Sequence, residues 1–296
     1  MIQEQCSLLL SLISFLCDDR PVSDEKDQAS DGGRRPSAPR TARERARAEI
    51  TAEILDAARG YLATDGAPAL SLRAIARDLG MASSALYRYF SSRDELLTRL
   101  IIDAYDSLGT AAEASEATVD RTDLAGRFTA ICQAVRAWAL AHPNEYALIY
   151  GSPVPGYVAP ADTVQPASRV TTLLLRIIVD ATTADRIEPA DTQSADTQPA
   201  DTQPADTQPA DTQPADTQAT GTQRLAAALA PIRSHLPPRV PASLVQRALM
   251  VWTNLFGVIS FELYGQLHNV VGEPSRDRDT FFAECIRHWI HFTGFI

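Results

Sequence analysis

An all-α fold is what this chain predicts, and three observations carry the prediction. Aromatic residues make up only 7% of the sequence, which is poor material for a sandwich of short strands. Alanine is abundant and glycine, at 14 of 296 residues, is sparse, which favours helices. Apolar residues also recur at steps of three and four over long stretches, the spacing of a helix face. With 45% hydrophobic residues the chain can bury a full core, as one large domain or two modest ones.

Taken in order, residues 1–40 are expected to be a disordered N-terminal extension. The run "CSLLLSLISFLC" from Cys6 to Cys17 has the apolar length of a signal peptide, but no positive charge precedes it and no clear cleavage site follows. It is too short to span a bilayer. Residues 18–40 are rich in Asp, Ser, Pro, Gly and Arg and carry too little apolar surface to order themselves. From Arg43 to Ala63 the pattern changes: Ile50, Ile54, Leu55, Ala58, Tyr61 and Leu62 fall at helical spacing, and Gly66 and Pro68 end the helix.

The next stretch, "LRAIARDLGMASSALYRYF" from Leu72 to Phe90, specifies two short helices packed across a turn. Ile75, Leu79, Met81, Leu86 and Tyr89 form the apolar face. Ala76 is small where the second helix crosses, and Gly80 supplies a turn conformation that a Cβ resists. Ser71 stands where it can cap the first helix, and the second is expected over Ser83–Phe90. A plain helical hairpin would use the same alternation, so the flanks decide the reading. Tyr87 and Tyr89 bring hydroxyls and Arg88 and Arg93 bring cations to the end of the second helix, the groups that hold phosphates.

Charge supports this. The net charge of −10 argues against a chain that coats nucleic acid indiscriminately. It is unevenly spread: residues 1–33 carry −5, residues 34–100 carry +4 and the remainder −9. Only the block holding the two short helices is positive. At physiological salt the Debye length is about 8 Å, so its attraction stays local.

"SLRAIARDLGMASSALYRYFSSRDELL", preceded by "AEILDAARGYLATDG", resembles the N-terminal DNA-binding domain of the TetR family of bacterial transcriptional regulators. The resemblance covers roughly residues 46–110, and Leu-Tyr-Arg-Tyr-Phe followed by Ser-Arg-Asp-Glu-Leu is its most specific part. Farther on, "HPNEYALIYGSPVPGY" and "VWTNLFGVISFELYGQL" resemble the regulatory domain of TetR-like proteins with a Trp-His-Gly motif. Phe256 stands where that motif has its histidine, beside Trp252 and Gly257, and Ala82 stands where the family often has a Ser or Thr cap. The resemblance implies a helix-turn-helix domain over residues 41–110 and a larger helical regulatory and dimerisation domain over 111–296. It implies a homodimer on a palindromic double-stranded DNA operator, a repressor released by a small molecule. By position it places Ser71, Arg73, Ser83, Ser84, Tyr87, Tyr89 and Arg93 at the DNA. Ser83 and Ser84 would face bases and the others mostly phosphates.

Within the second domain, "ADTQ" occurs six times between Ala190 and Gln218. Five-residue units without an apolar face cannot stack, so residues 188–223 are expected to form a disordered loop. The segments 242–267 and 277–295 are apolar nearly all round and are expected to form the dimer interface, with Phe282 and Ile286 at the subunit surface. Trp138, Tyr146, Tyr150, Trp252 and Phe256 lie near breaks such as "GSPVPGY" and are candidates for lining a pocket for a small hydrophobic effector.

An enzyme is the competing class, and no catalytic constellation is visible. The five histidines, His142, His235, His268, His288 and His291, stand in no HExxH, Ser-His-Asp or nucleotide-loop context. Cys285, His288 and His291 would spread over more than one helix face, so no metal or other cofactor is expected. Cys6, Cys17, Cys132 and Cys285 form no CxxC pair, which suits a reduced, cytoplasmic compartment with no membrane partner. The alternatives to an effector-released regulator are a DNA-binding dimer without an effector, or a helical enzyme or scaffold with no DNA role.

Overall fold

A computed structural model describes residues 41–183, 224–225, 227–234, 236–272 and 275–295. The expected N-terminal extension, residues 1–40, and the expected repeat loop, residues 188–223, lie outside the described residues. Among the described residues every regular element is helical: α1 (Ala42–Thr64), α2 (Leu72–Asp78), α3 (Ser83–Leu86), α4 (Arg93–Glu116), α5 (Leu124–Ala141), α6 (Pro143–Tyr150), α7 (Val164–Thr183), α8 (Ala230–Arg233), α9 (Ala242–Leu263) and α10 (Ser275–Thr293), with single 3-10 turns at Ala67–Ala69 and Ala161–Thr163.

Local chemistry sets the ends of these helices. At the start of α1 the Glu44 amide donates to the Thr41 hydroxyl at 3.2 Å, and the Thr41 amide donates to the Glu44 carboxylate at 2.8 Å. Two amides that the helix leaves without partners are thereby satisfied. Gly66, at φ 74°, turns the chain out of α1. Ser91, Ser92 and Glu95 do similar work for α4. The Ser92 hydroxyl accepts from the Glu95 amide at 3.1 Å, and the Glu95 carboxylate accepts from both the amide and the hydroxyl of Ser91 at 2.6 Å. Those bonds from Ser91 hold the Glu95 carboxyl below its ordinary pKa.

The chain divides into two compact units. The first comprises the described residues up to Ser115 together with Gln133–Thr172, and the second Glu116–Cys132 with the described residues from Leu173 onward. In the first unit Ile54, Leu55, Ala58 and Leu62 of α1 pack with Leu72, Ile75 and Ala76 of α2, Leu86 and Phe90 around α3, and Leu96, Leu97 and Leu100 of α4, all buried. This core lies under the two short helices and fixes them from one side.

Farther along α4, Arg169 of α7 lies across Gly109, where an added Cβ would come within 2.7 Å of its guanidinium. It donates to Glu113 at 2.8 and 2.6 Å and to the Asp106 carboxylate at 3.1 Å. Glycine is required at 109 by the close approach of that side chain rather than by its backbone angles.

The second unit is built around α9 and α10. Phe282 and Ile286 are each only 2% exposed within this single chain, which corrects the expectation that they lie at a subunit surface. They are core residues: α10 turns them inward, and Phe282 meets the edge of Trp289 at 6.2 Å between ring centres. Helix α9 ends at Leu263 rather than 267, because Gly265 at φ 74° carries the chain into a turn. By length and composition α9, with a mean hydropathy of 1.3, could cross a membrane, and one third of that stretch is buried.

Buried in the same unit, Arg127 is 1% exposed. It donates to Glu116 at 2.6 Å, to Asp180 at 2.8 Å and to the Arg121 carbonyl at 3.2 Å. Burial by itself pushes its pKa down, but the bonds it donates to Asp180 and Glu116, with their negative charges, outweigh burial and raise it above the ordinary arginine value.

Candidate nucleic-acid interface and cavity

The two short helices meet through a glycine turn, as their sequence predicts. Leu79 closes α2, Gly80 follows at φ 64°, and a Cβ added there would meet nothing. The requirement at Gly80 is therefore conformational and not one of space. Tyr61 of α1 donates its hydroxyl to Asp78 at the end of α2, which ties the first helix of the pair to the core beneath it. That bond to Asp78 raises the Tyr61 pKa.

Two details differ from the sequence reading. Ser71 occupies the N-cap position of α2, but its hydroxyl makes no capping bond. The second helix is α-helical only over Ser83–Leu86, with Ala82 at its N-cap and no side-chain cap. Beyond Leu86 the amides of Arg88 and Tyr89 bond three residues back, to Ala85 at 3.2 Å and Leu86 at 2.8 Å. The chain tightens there into a 3-10-type turn before the Phe90 amide bonds four residues back, to Leu86 at 3.1 Å. Leu86, fully buried, and Phe90, 4% exposed, pin this short segment to the core.

The surface that results carries Ser83, Ser84, Tyr87 and Arg88, all exposed, beside exposed Ala82. Arg73 on α2 is exposed and Ser71 half-buried. Tyr89 is half-buried, with the Arg47 guanidinium 5.2 Å from its ring centre, and Arg47 also donates to the Arg88 carbonyl at 3.2 Å. Sequence reasoning does not single out Arg47. It is one of three exposed arginines, with Arg43 and Arg45, on the first turns of α1, and the positive block at 34–100 is the signal that points to it. Arg93 faces another way: its guanidinium donates to the carbonyls of Leu70 at 3.1 Å, Ala67 at 2.9 Å and Pro68 at 3.4 Å. It holds the loop that leads into Ser71.

Of the five residues expected to line an effector pocket, Trp138, Tyr146 and Tyr150 lie in the first unit and Trp252 and Phe256 in the second. The Tyr146 and Tyr150 rings meet at 5.1 Å with a tilt of 41°, and the Tyr105 ring meets Tyr150 edge-on at 6.0 Å. Trp252 and Phe256 pair with each other at 5.5 Å. Trp138 lines a cavity of about 280 Å³ with Arg59, Leu62, Leu100, Asp103, Ala104, Ser107, His142, Glu145 and Leu148. The Trp138 indole donates to the Ser107 hydroxyl at 2.9 Å, and its ring stacks on His142 at 5.0 Å and 19°.

Comparison with known proteins agrees with this arrangement. Residues 54–100 match the family described as bacterial regulatory proteins, tetR family, and residues 128–289 match the tetracyclin repressor-like, C-terminal domain. Two HTH-type transcriptional regulators, Mb1846 of Mycobacterium bovis and Rv1816 of Mycobacterium tuberculosis, are each 37% identical over 222 residues, covering 75% of this chain and 83% of theirs. The crystal structure of SCO4313, described as a regulatory protein, superposes with a TM-score of 0.60 at 35% identity and covers 86% of this chain and all of that one. A Rhodococcus sp. RHA1 protein of unknown function shares the fold at 22% identity, with a TM-score of 0.53 over 86% of this chain and 98% of its own.

Proposed function

This chain belongs to the TetR family of bacterial regulatory proteins, and on that premise we propose that it is a cytoplasmic repressor that binds a palindromic operator as a homodimer and is released by a small-molecule effector. It is a transcriptional regulator that binds DNA through its helix-turn-helix, as its family and relatives are. The observation that carries the finer reading is the exposed row of Ser83, Ser84, Tyr87 and Arg88 on a segment pinned by buried Leu86 and Phe90. Polar groups are displayed on a rigid base and take no part in holding the fold beneath them. In a major groove Ser83 and Ser84 face base edges, and Ala82 and Ala85 meet thymine methyls. Ser71, Arg73, Tyr87 and Tyr89 hold phosphates, with Arg47 steadying the Tyr89 ring. Arg93 sets the loop before Ser71 from its cradle of carbonyls.

Dimerisation draws on α9 and α10. Met250 and Phe261 of α9 and Tyr264 at its C-cap are 47%, 56% and 49% exposed and follow one another along one face, with Asn254 and Gly257 between them, and Phe292 of α10 is 42% exposed. Apolar side chains in such a row gain by covering one another across a two-fold axis. The dimer presents two recognition segments to successive major grooves, about 34 Å apart. Footprinting of the purified protein on the DNA upstream of its own gene tests the proposal. Two symmetric protected half-sites are expected, and loss of both with Phe261→Asp as sedimentation shifts to the monomer. Protection of one asymmetric half-site, or none, overturns it.

A further inference from the structure

We propose that the cavity beside Trp138 is the effector site, and that it takes a small planar compound carrying one positive charge, an arylalkylammonium ion. The inference rests on the reading of this chain as an effector-released regulator and specifies where and what the effector is.

Shape comes first. A cavity of about 280 Å³ with Leu62, Leu100, Ala104, Trp138 and Leu148 in its lining suits a ligand near the small end of the range for such pockets, with an apolar and flat body. The stacked pair of Trp138 and His142 supplies an aromatic wall for that body.

Charge comes second. Arg59 is shared between Asp56 at 2.6 Å and Asp103 at 3.5 Å, and Arg99 holds the other Asp103 oxygen at 2.8 Å. Two guanidinium groups and two carboxylates balance. Glu145 remains, half-buried, lining the same cavity and without an ion pair among the described residues. The lining therefore carries one negative charge that is met only by the N-terminal turn of α6 and by no cationic side chain among the described residues, and a cation in the cavity offsets it.

Hydrogen-bonding capacity points the same way. The His142 Nδ1 lies 2.9 Å from the Trp138 carbonyl. A carbonyl only accepts, so Nδ1 carries the hydrogen, and Nε2 is the ring nitrogen left to accept whenever the ring carries a single hydrogen. The Ser107 oxygen and the Glu145 carboxylate also accept. The polar part of the lining is thus weighted toward acceptors, which an ammonium group with its several N–H donors satisfies and an anionic ligand does not.

The position explains how occupancy is felt. Arg59 and Leu62 belong to α1, the helix that also presents Arg47 to Tyr89, whereas the other lining residues come from α4, α5, α6 and the residue that precedes α6. The Arg59–Asp103 bond joins α1 to α4 and is the longer of the two that Arg59 makes. An ammonium group in the cavity competes for the Asp103 oxygen that Arg59 holds, and Arg59 falls back on Asp56 within α1. A tie between α1 and α4 is thereby exchanged for ligand contacts, and a ligand that prefers this state shifts the chain away from the one that fits DNA.

Calorimetric titration of the full chain with three indoles of one shape separates the charges: cationic tryptamine, neutral tryptophol and anionic indole-3-acetate. Tryptamine is expected to bind at least about tenfold tighter than tryptophol, and indole-3-acetate weakest. Glu145→Gln is expected to erase the difference between tryptamine and tryptophol while leaving tryptophol binding within about twofold of its original value. Ala104→Ile, which fills the cavity, is expected to abolish both. No saturable tryptamine binding up to millimolar concentration, equal affinity for the three indoles, or a cation preference that survives Glu145→Gln each overturns the assignment. A second arm repeats the operator footprint with tryptamine present. A saturable tryptamine site that leaves the footprint intact overturns the effector assignment, whereas operator binding without any amine site overturns the cavity assignment and leaves the DNA-binding reading standing.

Discussion

Around Ser83–Tyr89 the arginine, the serines and a tyrosine stand at the surface, whereas around Arg127 the polar groups face one another. In the first region Ser83, Ser84, Tyr87 and Arg88 are exposed and the fold rests on apolar anchors, Leu86 and Phe90. In the second, Arg127, Glu116, Asp180 and Arg121 form a network whose central guanidinium is 1% exposed. The same kind of side chain serves opposite ends. Where an arginine's donors are consumed by carboxylates and carbonyls, it is part of the fold. Where they are left in water, they are available to an external anion. Arg93 shows that the two cannot be told apart by sequence position, for it lies three residues past Phe90 and yet directs its donors to the carbonyls of residues 67, 68 and 70.

The largest effect is expected at Arg127. Substituting Arg127→Met leaves Glu116 and Asp180 without their buried cation, and removal of one partner from such a pair costs about 3–5 kcal/mol. Urea unfolding at fixed protomer concentration is expected to show that loss, while the folded fraction binds operator with unchanged salt dependence. A variant as stable as the parent would show that the network contributes nothing net.

A smaller loss is expected at Arg93. Arg93→Gln gives up bonds from a charged donor to backbone carbonyls, worth about 1–3 kcal/mol together. If the guanidinium is a strut, stability falls while the slope of log affinity against log salt stays as it was. If it neutralises a phosphate instead, its removal makes that slope shallower by about 0.9.

Much of this is legible in the chain itself, for reasons that can be named residue by residue. The helix-turn-helix can be read because each of its constraints sits on one local residue: small Ala76 at the crossing, Gly80 at a positive φ, apolar Ile75 and Leu86 on the inner side. The inward turn of Phe282 and Ile286 cannot, because a helix that is apolar all round does not say which face its own chain covers and which it leaves to another. The extent of the second helix is overestimated for a related reason. The Tyr-Arg-Tyr-Phe cluster continues a helical apolar pattern, but a turn tightened at Arg88 and Tyr89 and closed by the Phe90 amide on Leu86 places Phe90 in the core equally well. The cavity is legible only in Trp138, since Arg59, Asp103, Ser107 and Glu145 converge from helices far apart in sequence. Tyr146 and Tyr150, the neighbours that look equally suited, pack their tilted rings against each other.

The smallest effects lie within the exposed region and divide its two tasks. Tyr87 is 45% exposed and its hydroxyl makes no hydrogen bond among the described residues, so Tyr87→Phe is expected to weaken every operator variant alike, by about 1 kcal/mol, with no change in thermal stability. Ser84 is exposed on the first turn of α3. A hydroxyl can donate or accept, so a serine tolerates several base edges and contributes little discrimination to any one of them. Ser84→Ala is therefore expected to change affinity for the best operator by only a few tenths of a kcal/mol up to about 1. It should, however, reorder the preference at a single base-pair position in each half-site, because a methyl group favours thymine where the hydroxyl did not. Measuring both variants against a set of operators that differ at one position each distinguishes the roles. A uniform shift for Ser84→Ala would move it to the phosphate class, and a position-dependent shift for Tyr87→Phe would bring its ring into the groove.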